Sequence, residues 1–309
     1  MIALDSFNAR LRHYSILYNM LRDYHLIASN PIRHLKRLQV GKSFCNPDLQ
    51  IDSKSGYLIT SASKLEGLTE LISRLQIFAT PRAEQLSGDH KVSQKPYYFN
   101  ILNRIDAEKI PELIGFSLSP AMLRILAPYY GFIPNLSHIG VFLSAHASTT
   151  TTKGTQNAHW DNHDLRHVKM FSYLSDVGPD DGPLTFLPAD KSAWLRRKTG
   201  RIFRTPPIRD DSEWRRFFTD KDLVQVTGPA GTTAFLNTSD CMHFGSRCKP
   251  EGRRLALVLH YAKFAEYSFT WTKNFEDLNV ATSPELRPQN LDEAAALMFH
   301  LLQPELNNI

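Results

Sequence analysis

The hydrophobic positions in the first 130 residues repeat with the period of an α-helix. Between residues 4 and 21, apolar side chains recur three and four positions apart, which predicts an amphipathic helix near the start of the chain. A second helical pattern covers residues 63–75. A third, over residues 107–130, is interrupted by two prolines that a continuous helix would not tolerate. This part of the chain is therefore predicted to be mainly helical.

After Phe132 the pattern changes to short runs of β-forming residues separated by Gly, Pro, Asp and Asn. The segment VGPDDGP, residues 177–183, has the composition of a turn. Several short strands with turns between them are typical of a sandwich or a barrel. A last helical pattern follows at about residues 292–302. The predicted strands cover residues 138–145, 167–174, 183–188, 223–226, 232–237 and 254–261.

These patterns predict one domain, because no stretch of the chain has the composition of a linker. We expect a mainly β fold with helical decoration. Residues 1–131 would form a mainly helical N-terminal part, residues 132–265 the β core, and residues 266–309 a C-terminal extension with a helix. A length of 309 residues suits one large domain.

The composition is that of an ordinary soluble globular protein, with 42% hydrophobic and 22% charged residues. No apolar run approaches the roughly 18 residues that a membrane-spanning helix needs, so no membrane partner is predicted. Charged residues, Asp5 and Arg10, occur before any long apolar stretch, so no secretory signal is predicted. Three unpatterned cysteines favour a reducing compartment, and we expect a cytoplasmic protein without a disulfide framework.

The formal charge of +5 is concentrated in one segment, residues 194–216, which we call the basic segment. It holds eight basic and three acidic residues, so the rest of the chain is formally neutral. Nucleic-acid binders more often show a basic stripe with interleaved aromatic residues, so nucleic acid is not an expected partner. Two interpretations stay open: a solvated surface loop, or a lid that attracts an anionic substrate. The basic residues are Arg196, Arg197, Lys198, Arg201, Arg204, Arg209, Arg215 and Arg216.

The stretch QNAHWDNHDLRH, residues 156–167, concentrates imidazole and carboxylate groups. If it is extended, His159 and Asp161 point to one side and Trp160 to the other, because side chains alternate along a strand. Two histidines and one carboxylate leave three positions of an octahedral metal open, as in non-haem Fe(II) oxygenases. The second histidine must come from elsewhere in the chain. His243 is the candidate, since it lies just ahead of a strong predicted strand.

Two longer segments resemble the phytanoyl-CoA dioxygenase family of Fe(II)- and 2-oxoglutarate-dependent oxygenases. They read HWDNHDLRHVKMFSYLSDVGPDDGPLTFLPADKS and GPAGTTAFLNTSDCMHFGSRCKPEGRRLALVLHY, and the resemblance covers roughly residues 138–262. It implies a double-stranded β-helix core flanked by the N-terminal helices. It also implies Fe(II) as the metal, 2-oxoglutarate as the co-substrate, and O2 and a small molecule as the other reactants.

The resemblance also assigns residues to the site. Arg254 would bind the distal carboxylate of 2-oxoglutarate, with Arg253 as its rival, because both faces of this strand are apolar and alternation does not choose between them. Ser246 would donate a hydrogen bond to the same carboxylate, and Gln156 lies at a position where relatives often have a polar residue that faces the substrate. The catalytic metal ligands would be His159, Asp161 and His243.

One motif departs from the family pattern. The family usually has P-G-S-H after the GPL turn, whereas this chain has PADK at residues 188–191. The missing histidine is not a metal ligand, so the departure affects only what close relatives would imply about the substrate.

The implied reaction is hydroxylation of a C–H bond with release of succinate and CO2. The carboxylate of Asp161 favours hydroxylation, or a related desaturation or ring closure, because halogenating relatives have a small residue there. Two alternatives remain: a zinc or other divalent-metal hydrolase that uses the same histidines, and a non-catalytic β-core binding protein. Succinate release with Fe(II), 2-oxoglutarate and air separates the first function from both others.

Several neighbouring residues have two interpretations. Lys169 is either solvated or directed into the barrel at an anionic group, and Trp160 either packs in the core or lines the substrate channel. His163 and Asp164 are interpreted as loop residues at the mouth of the pocket, and residues 146–157 as a flexible flap beside it. The remaining histidines that we interpret as structural are His138, His146, His167 and His260.

Overall fold

The computed structural model describes residues 15–87, 97–102, 106, 109–146, 154–162, 164–201, 208, 210–264, 278–279 and 290–299. Their centre is a large antiparallel sheet with the strand order β1-β7-β4-β9-β3-β10, in which β2 also pairs with β3. A smaller antiparallel sheet has the order β6-β5-β8. The strands are β1 (Tyr57–Ser61), β2 (Tyr98–Asn100), β3 (Asn135–Ala145), β4 (His167–Tyr173), β5 (Thr185–Leu187), β6 (Val224–Gln225), β7 (Thr232–Asn237), β8 (Met242–Phe244), β9 (Arg253–Ala262) and β10 (Leu278–Asn279).

The chain alternates between the two sheets as it runs through the core. Strands β3, β4, β7 and β9 lie side by side in the large sheet. The segments between them supply the small sheet, where His159 forms an isolated bridge to β8. This alternation is the topology of a double-stranded β-helix, and it confirms the predicted fold class. The two sheets face each other across an apolar interior that includes Tyr173, Phe186 and Val258.

Several helices pack on the outer face of the large sheet. Leu68, Leu71 and Leu75, all in the second predicted helical pattern, are at most 2% exposed and share one cluster with Val168 and Met170 of β4. The helices are α1 (Ser15–Ser29), α2 (Pro31–Gly41), α3 (Leu68–Ser87), α4 (Pro111–Ser117), α5 (Pro120–Tyr130), α6 (Ala189–Lys198), α7 (Ser212–Arg215) and α8 (Glu293–Met298). No helix among these is long and apolar enough to cross a membrane.

Prolines interrupt the third helical pattern, as predicted. Pro111 and Pro120 each occupy the first turn of a helix, where the missing N–H is not needed, so the pattern becomes two short helices. Ser119 caps the second of them by accepting a hydrogen bond from the N–H of Met122 at 3.5 Å.

The first helix differs from its prediction in the face that it buries. Leu21, on the predicted apolar face, is 55% exposed, whereas Asn19 and Asp23 are 3% and 5% exposed. Asn19 donates to the carbonyl of Asn162 at 3.1 Å, and Asp23 pairs with Lys263 at 2.8 Å. Polar contacts to the core therefore set the orientation of α1, and apolar spacing alone did not indicate them. Residues 4–14 of this pattern lie outside the described residues.

Four strands were not predicted. They are β1, β2, β8 and β10, each of five residues or fewer. β1 and β2 lie in the part of the chain that was predicted to be mainly helical, and they extend the large sheet by pairing with β7 and β3. Short strands at a sheet edge have few alternating positions, so periodicity hardly detects them.

Candidate active site

The structure brings the three predicted metal ligands together between the sheets. His159 and His243 face each other across the antiparallel bridge, with both backbone hydrogen bonds formed at 2.9 and 3.0 Å. The backbone N–H of Asp161 donates to the carbonyl of Thr238 at 2.9 Å. One ligand atom from each of the three side chains lies within 4.8 Å of the others. This spacing suits a single metal ion.

Backbone carbonyls orient both imidazoles. Nδ1 of His159 lies 2.8 Å from the carbonyl oxygen of Asn157, and Nδ1 of His243 lies 3.0 Å from that of Cys241. With the proton on Nδ1, each ring presents the lone pair of Nε2 to the shared centre, as a metal ligand must. Burial, and after it the nearby His159, lowers the pKa of His243 to about 3. This ring is therefore neutral near pH 7.

Asp161 is ionised although it is only 8% exposed. Oδ1 lies 3.9 Å from Nε2 of His159, and Oδ2 lies 3.9 Å from Nε2 of His243. Oδ2 also lies 2.7 Å from Nζ of Lys169, as an ion pair without the angles of a directed hydrogen bond. Burial opposes the charge, but Lys169 and then His167 hold the pKa of Asp161 well below its usual range. The carboxylate is thus ready to bind a cation.

Lys169 is directed into the barrel, which decides between its two interpretations. Its neighbours in β4, Val168 and Met170, pack under the helices on the outer face. Because side chains alternate along a strand, Lys169 points to the inner face. Its side chain is 15% exposed and has Asp161 as its ion-pair partner. Its register neighbours on the adjacent strands are Leu236 of β7 and His260 of β9.

Arg254 lies on the inner face of β9 and is 5% exposed, whereas Arg253 is exposed on the surface. Its Nη2 donates to Oγ of Ser144 at 3.1 Å and to Oγ of Ser246 at 3.4 Å. Its Nε and Nη1 are buried and have no hydrogen-bond partner, and no described carboxylate lies within ion-pair distance of it. A buried guanidinium with two unsatisfied donors is suited to an anion with two oxygens.

The turn after His243 makes room for this guanidinium. A Cβ on Gly245 would lie 3.2 Å from Nη1 of Arg254, so any other residue here would push the guanidinium back by a few tenths of an ångström. Ser246 has a φ of 59°, and its hydroxyl lies 2.7 Å from that of Ser144. Gln156 donates through Nε2 to the carbonyl of Ser246 at 2.9 Å. Its side chain therefore holds the turn that carries Ser246.

Ser144 is a site residue that the sequence patterns missed. It lies directly opposite Arg254 in the register of β3 and β9 and is fully buried. Its signal in the sequence is weak, because a single serine near the end of an apolar strand is common in β proteins. Only the pairing of the two strands shows that it contacts Arg254.

These residues are compatible with a ferrous ion and 2-oxoglutarate. Two neutral imidazoles and one carboxylate form the donor set that non-haem iron uses, and they leave three positions open. The unsatisfied donors of Arg254 suit the far carboxylate of a dicarboxylic acid.

The described part of the basic segment packs against β8 and, through the pair of Asp211 with Arg247 at 2.6 Å, contacts the turn after His243. Met242 and Phe244 flank His243 on β8, so they point away from the three predicted ligands, and they form one cluster with Leu195 of α6 and Trp214 of α7. Trp160 belongs to the same cluster and is 4% exposed, which assigns it to packing.

Nearby acidic residues partly compensate the charges of this segment. Arg201 pairs with Glu213, and Arg215 lies 2.9 Å from Asp220. Arg204 and Arg209 lie outside the described residues, as do residues 147–153 of the expected flap.

Asp164 has a structural role that its loop position did not indicate. It is 2% exposed, pairs with Arg22 of α1 at 3.0 Å, and accepts a hydrogen bond from the N–H of Lys263 at 2.5 Å. It therefore joins α1 to the end of β9. His163 lies outside the described residues.

Of the histidines interpreted as structural, His138 and His260 lie side by side on the inner face, with ring centroids 4.7 Å apart. Burial, and after it Lys169, lowers the pKa of His260 well below its usual range. His167 contacts His260 at 5.3 Å between ring centroids and has its Nδ1 3.7 Å from Oδ2 of Asp161. His146 lies at the other end of β3, with Nδ1 2.9 Å from the carbonyl oxygen of Cys248.

Comparisons with known proteins give distant structural similarities. No family model matches the sequence, and no curated protein matches it significantly. HygX from Streptomyces hygroscopicus, solved with nickel and 2-oxoglutarate, is 18% identical with a TM-score of 0.43, over 69% of this chain and 85% of that one. The epimerase SnoN, solved with Fe3+, alpha ketoglutarate and nogalamycin RO, is 16% identical with a TM-score of 0.44, over 68% and 80%. EctD from S. alaskensis, solved with 2-oxoglutarate and 5-hydroxyectoine, is 15% identical with a TM-score of 0.44, over 68% and 72%.

Proposed function

We propose that this protein is an Fe(II)- and 2-oxoglutarate-dependent oxygenase of the phytanoyl-CoA dioxygenase type, which hydroxylates a C–H bond of a small organic molecule. One observation carries the proposal: a three-residue metal centre and a buried arginine without a carboxylate partner among the described residues share one interior. Either feature by itself would suit several kinds of protein, but together they match the two ends of a co-substrate that chelates a metal and extends a second carboxylate away from it.

Each residue has a defined task in this proposal. His159, Asp161 and His243 would hold the ferrous ion, and Arg254 would bind the far carboxylate of 2-oxoglutarate with Ser144 and Ser246 beside it. When bound, the ion and 2-oxoglutarate activate O2 and oxidise the substrate's C–H bond to an alcohol, with succinate and CO2 as the other products.

The protein's contribution is placement and exclusion of water. Arg254 lies in a part of the barrel lined by buried apolar side chains such as Ala256 and Val258, where its ion pair with a carboxylate would be strong. The backbone carbonyls of Asn157 and Cys241 fix the imidazoles before the metal binds, so little reorganisation is needed.

A zinc hydrolase is the weaker proposal for this geometry. It would use the two histidines and the carboxylate, but it would leave the buried charge of Arg254 without a ligand. A non-catalytic binding protein would leave both the metal ligands and Arg254 without a role. The oxygenase accounts for all four side chains.

The test is to measure succinate formed from 2-oxoglutarate by the protein reconstituted with Fe(II), in air and under nitrogen. We expect slow turnover that requires both Fe(II) and O2, and that a true substrate stimulates. Candidate metabolites, anionic and neutral, are then screened for that stimulation. Ester or amide hydrolysis by the zinc-loaded protein, with no succinate from the iron-loaded one, would favour the hydrolase instead.

A further inference from the structure

Asp161 has two carboxylate oxygens, and the proposed function leaves room for only one of them on the metal. A carboxylate that binds through both oxygens occupies two coordination positions. With His159 and His243 also bound, a bidentate Asp161 would leave two positions, and 2-oxoglutarate alone would fill them. The function therefore requires a contact that keeps one oxygen away from the metal.

Lys169 makes such a contact. Its Nζ lies 2.7 Å from Oδ2 of Asp161, and Nδ1 of His167 lies 3.7 Å from the same oxygen. The ion-pair neighbour of Oδ1 is Nε2 of His159, itself a proposed ligand, at 3.9 Å. Oδ2 likewise lies 3.9 Å from Nε2 of His243, so the two oxygens differ in the cation: the ammonium of Lys169 lies beside Oδ2 and not beside Oδ1.

The backbone holds Lys169 in this position. It lies in β4, which is paired on one side with β7 and on the other with β9, so the strand cannot shift without breaking both ladders. Its side chain is only 15% exposed, and no other described carboxylate lies within ion-pair distance of Nζ. Withdrawal of the ammonium from Asp161 would leave a mostly buried charge without a partner, which is costly.

We propose that Lys169 is a positioning residue that engages Oδ2 of Asp161 and so restricts this carboxylate to one metal bond, which leaves three coordination positions for 2-oxoglutarate and O2. The inference rests on the proposed function and adds a residue to its machinery. Lys169 acts only through Asp161 and needs no contact with substrate.

Water exchange on a bound Mn2+ ion tests this directly, because the relaxation of water protons reports how many waters the ion holds. We compare the wild type with Lys169→Met at saturating Mn2+ without 2-oxoglutarate, and then measure the dissociation constant of 2-oxoglutarate. In the variant we expect the inner-sphere relaxation to fall by about a third, as three water positions become two. We expect 2-oxoglutarate to bind about tenfold more weakly, because it competes with the second oxygen of Asp161 for a position.

Two controls accompany the measurement. Lys169→Arg keeps a cation that reaches Oδ2 and should restore most of the wild-type relaxation. Lys191→Met removes another Lys–Asp pair, with Asp222 at 2.8 Å, away from the metal centre, and should change neither quantity. If the Met variant does not fold, Lys169→Gln replaces it, since a neutral amide cannot form the ion pair.

The outcomes separate the two proposals. A folded Lys169 variant with wild-type relaxation and wild-type affinity for 2-oxoglutarate would overturn the role of Lys169 and leave the oxygenase intact. A wild-type protein that binds Mn2+ but not 2-oxoglutarate would overturn the oxygenase itself. A variant that loses Mn2+ binding altogether would also overturn the inference, because it would show that Lys169 is needed to form the site and not to set its open positions.

Discussion

Lys169 and Arg254 are two basic residues on the inner face of one sheet, and they differ in what neutralises them. Lys169 lies 2.7 Å from a carboxylate of the protein. Arg254 has two serine hydroxyls as partners on Nη2, and its Nε and Nη1 have no partner. Both are largely buried, so both are costly to remove from water. The first charge is paired within the chain, and the second has no carboxylate partner among the described residues.

This difference distinguishes the two halves of the proposed site. At the metal end, the protein supplies a complete set of groups whose charges and hydrogen bonds already agree with one another. At the Arg254 end, the protein supplies only a cation and a space that Gly245 leaves open. At the metal end, we therefore expect the charge balance to depend on the protein's own side chains. At the arginine end, we expect it to depend on whether a small dicarboxylate is bound.

Removal of Asp161 should have the strongest effect on activity. In Asp161→Ala the metal loses its only charged ligand, and Lys169 loses its partner. We expect succinate formation from 2-oxoglutarate to fall at least about a thousandfold, because an incomplete site does not hold the ion in place. The matched control, Asp222→Ala, removes a carboxylate that pairs with Lys191. Full turnover by Asp161→Ala would contradict the assignment of this ligand.

Removal of Arg254 should weaken 2-oxoglutarate and leave the metal in place. Truncation of one partner of a buried charge pair costs about 2–5 kcal/mol, so the dissociation constant of 2-oxoglutarate should rise roughly 30-fold or more in Arg254→Met. Mn2+ affinity should stay within a few fold. Arg253→Met is the matched control, because its side chain is exposed one residue away. If the Arg253 variant lost affinity instead, the sequence rival would be the correct residue.

Much of this site could be predicted from the sequence, and the physical reason differs for each part. His159 and Asp161 lie two residues apart, so local alternation places them together. His243 is distant in sequence, and its place just ahead of a strong predicted strand made it the candidate ligand; Arg254 was indicated by the resemblance to a known family. The contact of Ser144 with Arg254 and the ion pair of Lys169 with Asp161 depend on which parts of the chain are neighbours in the fold. Patterns in a single sequence do not show this.

The fold shows the same division. The long strands β3, β4 and β9 have enough alternating or apolar positions to be predicted within a few residues. The orientation of α1 was not predictable from its apolar spacing, because Asn19 and Asp23 make long-range polar contacts with Asn162 and Lys263. Such contacts follow from the tertiary structure, and no period along the chain encodes them.

The stability of the metal-free protein should respond differently to loss of the two cations. In Lys169→Met the carboxylate of Asp161 is left without its ion-pair partner, and breaking a mostly buried pair should lower the free energy of unfolding by about 2–3 kcal/mol. In Arg254→Met an unpaired buried charge is replaced by an apolar side chain, so the free energy of unfolding should stay the same or rise. Urea unfolding of both variants in the presence of a chelator measures the difference. Equal destabilisation would mean that Arg254 is satisfied within the protein after all.

Acidification should lower the free energy of unfolding of the metal-free protein, because buried histidines near Lys169 are neutral in the folded state. Burial and then Lys169 hold the pKa of His260 well below 6.5, so the unfolded chain takes up a proton that the folded chain excludes. The resulting loss of stability begins as the pH falls below about 6.5 and contributes at most about 1.4 kcal/mol per pH unit. Asp161 titrates in a lower range: its lowered pKa stabilises the fold above about pH 4 and loses that effect only at lower pH. Between about pH 6.5 and 4.5 the buried histidines should therefore account for most of the change in the free energy of unfolding with pH. Urea unfolding at about pH 7, 6 and 5 should show a smaller slope in His260→Asn than in the wild type. An unchanged slope would show that His260 accepts a proton in the folded state and that Lys169 directs its charge only toward Asp161.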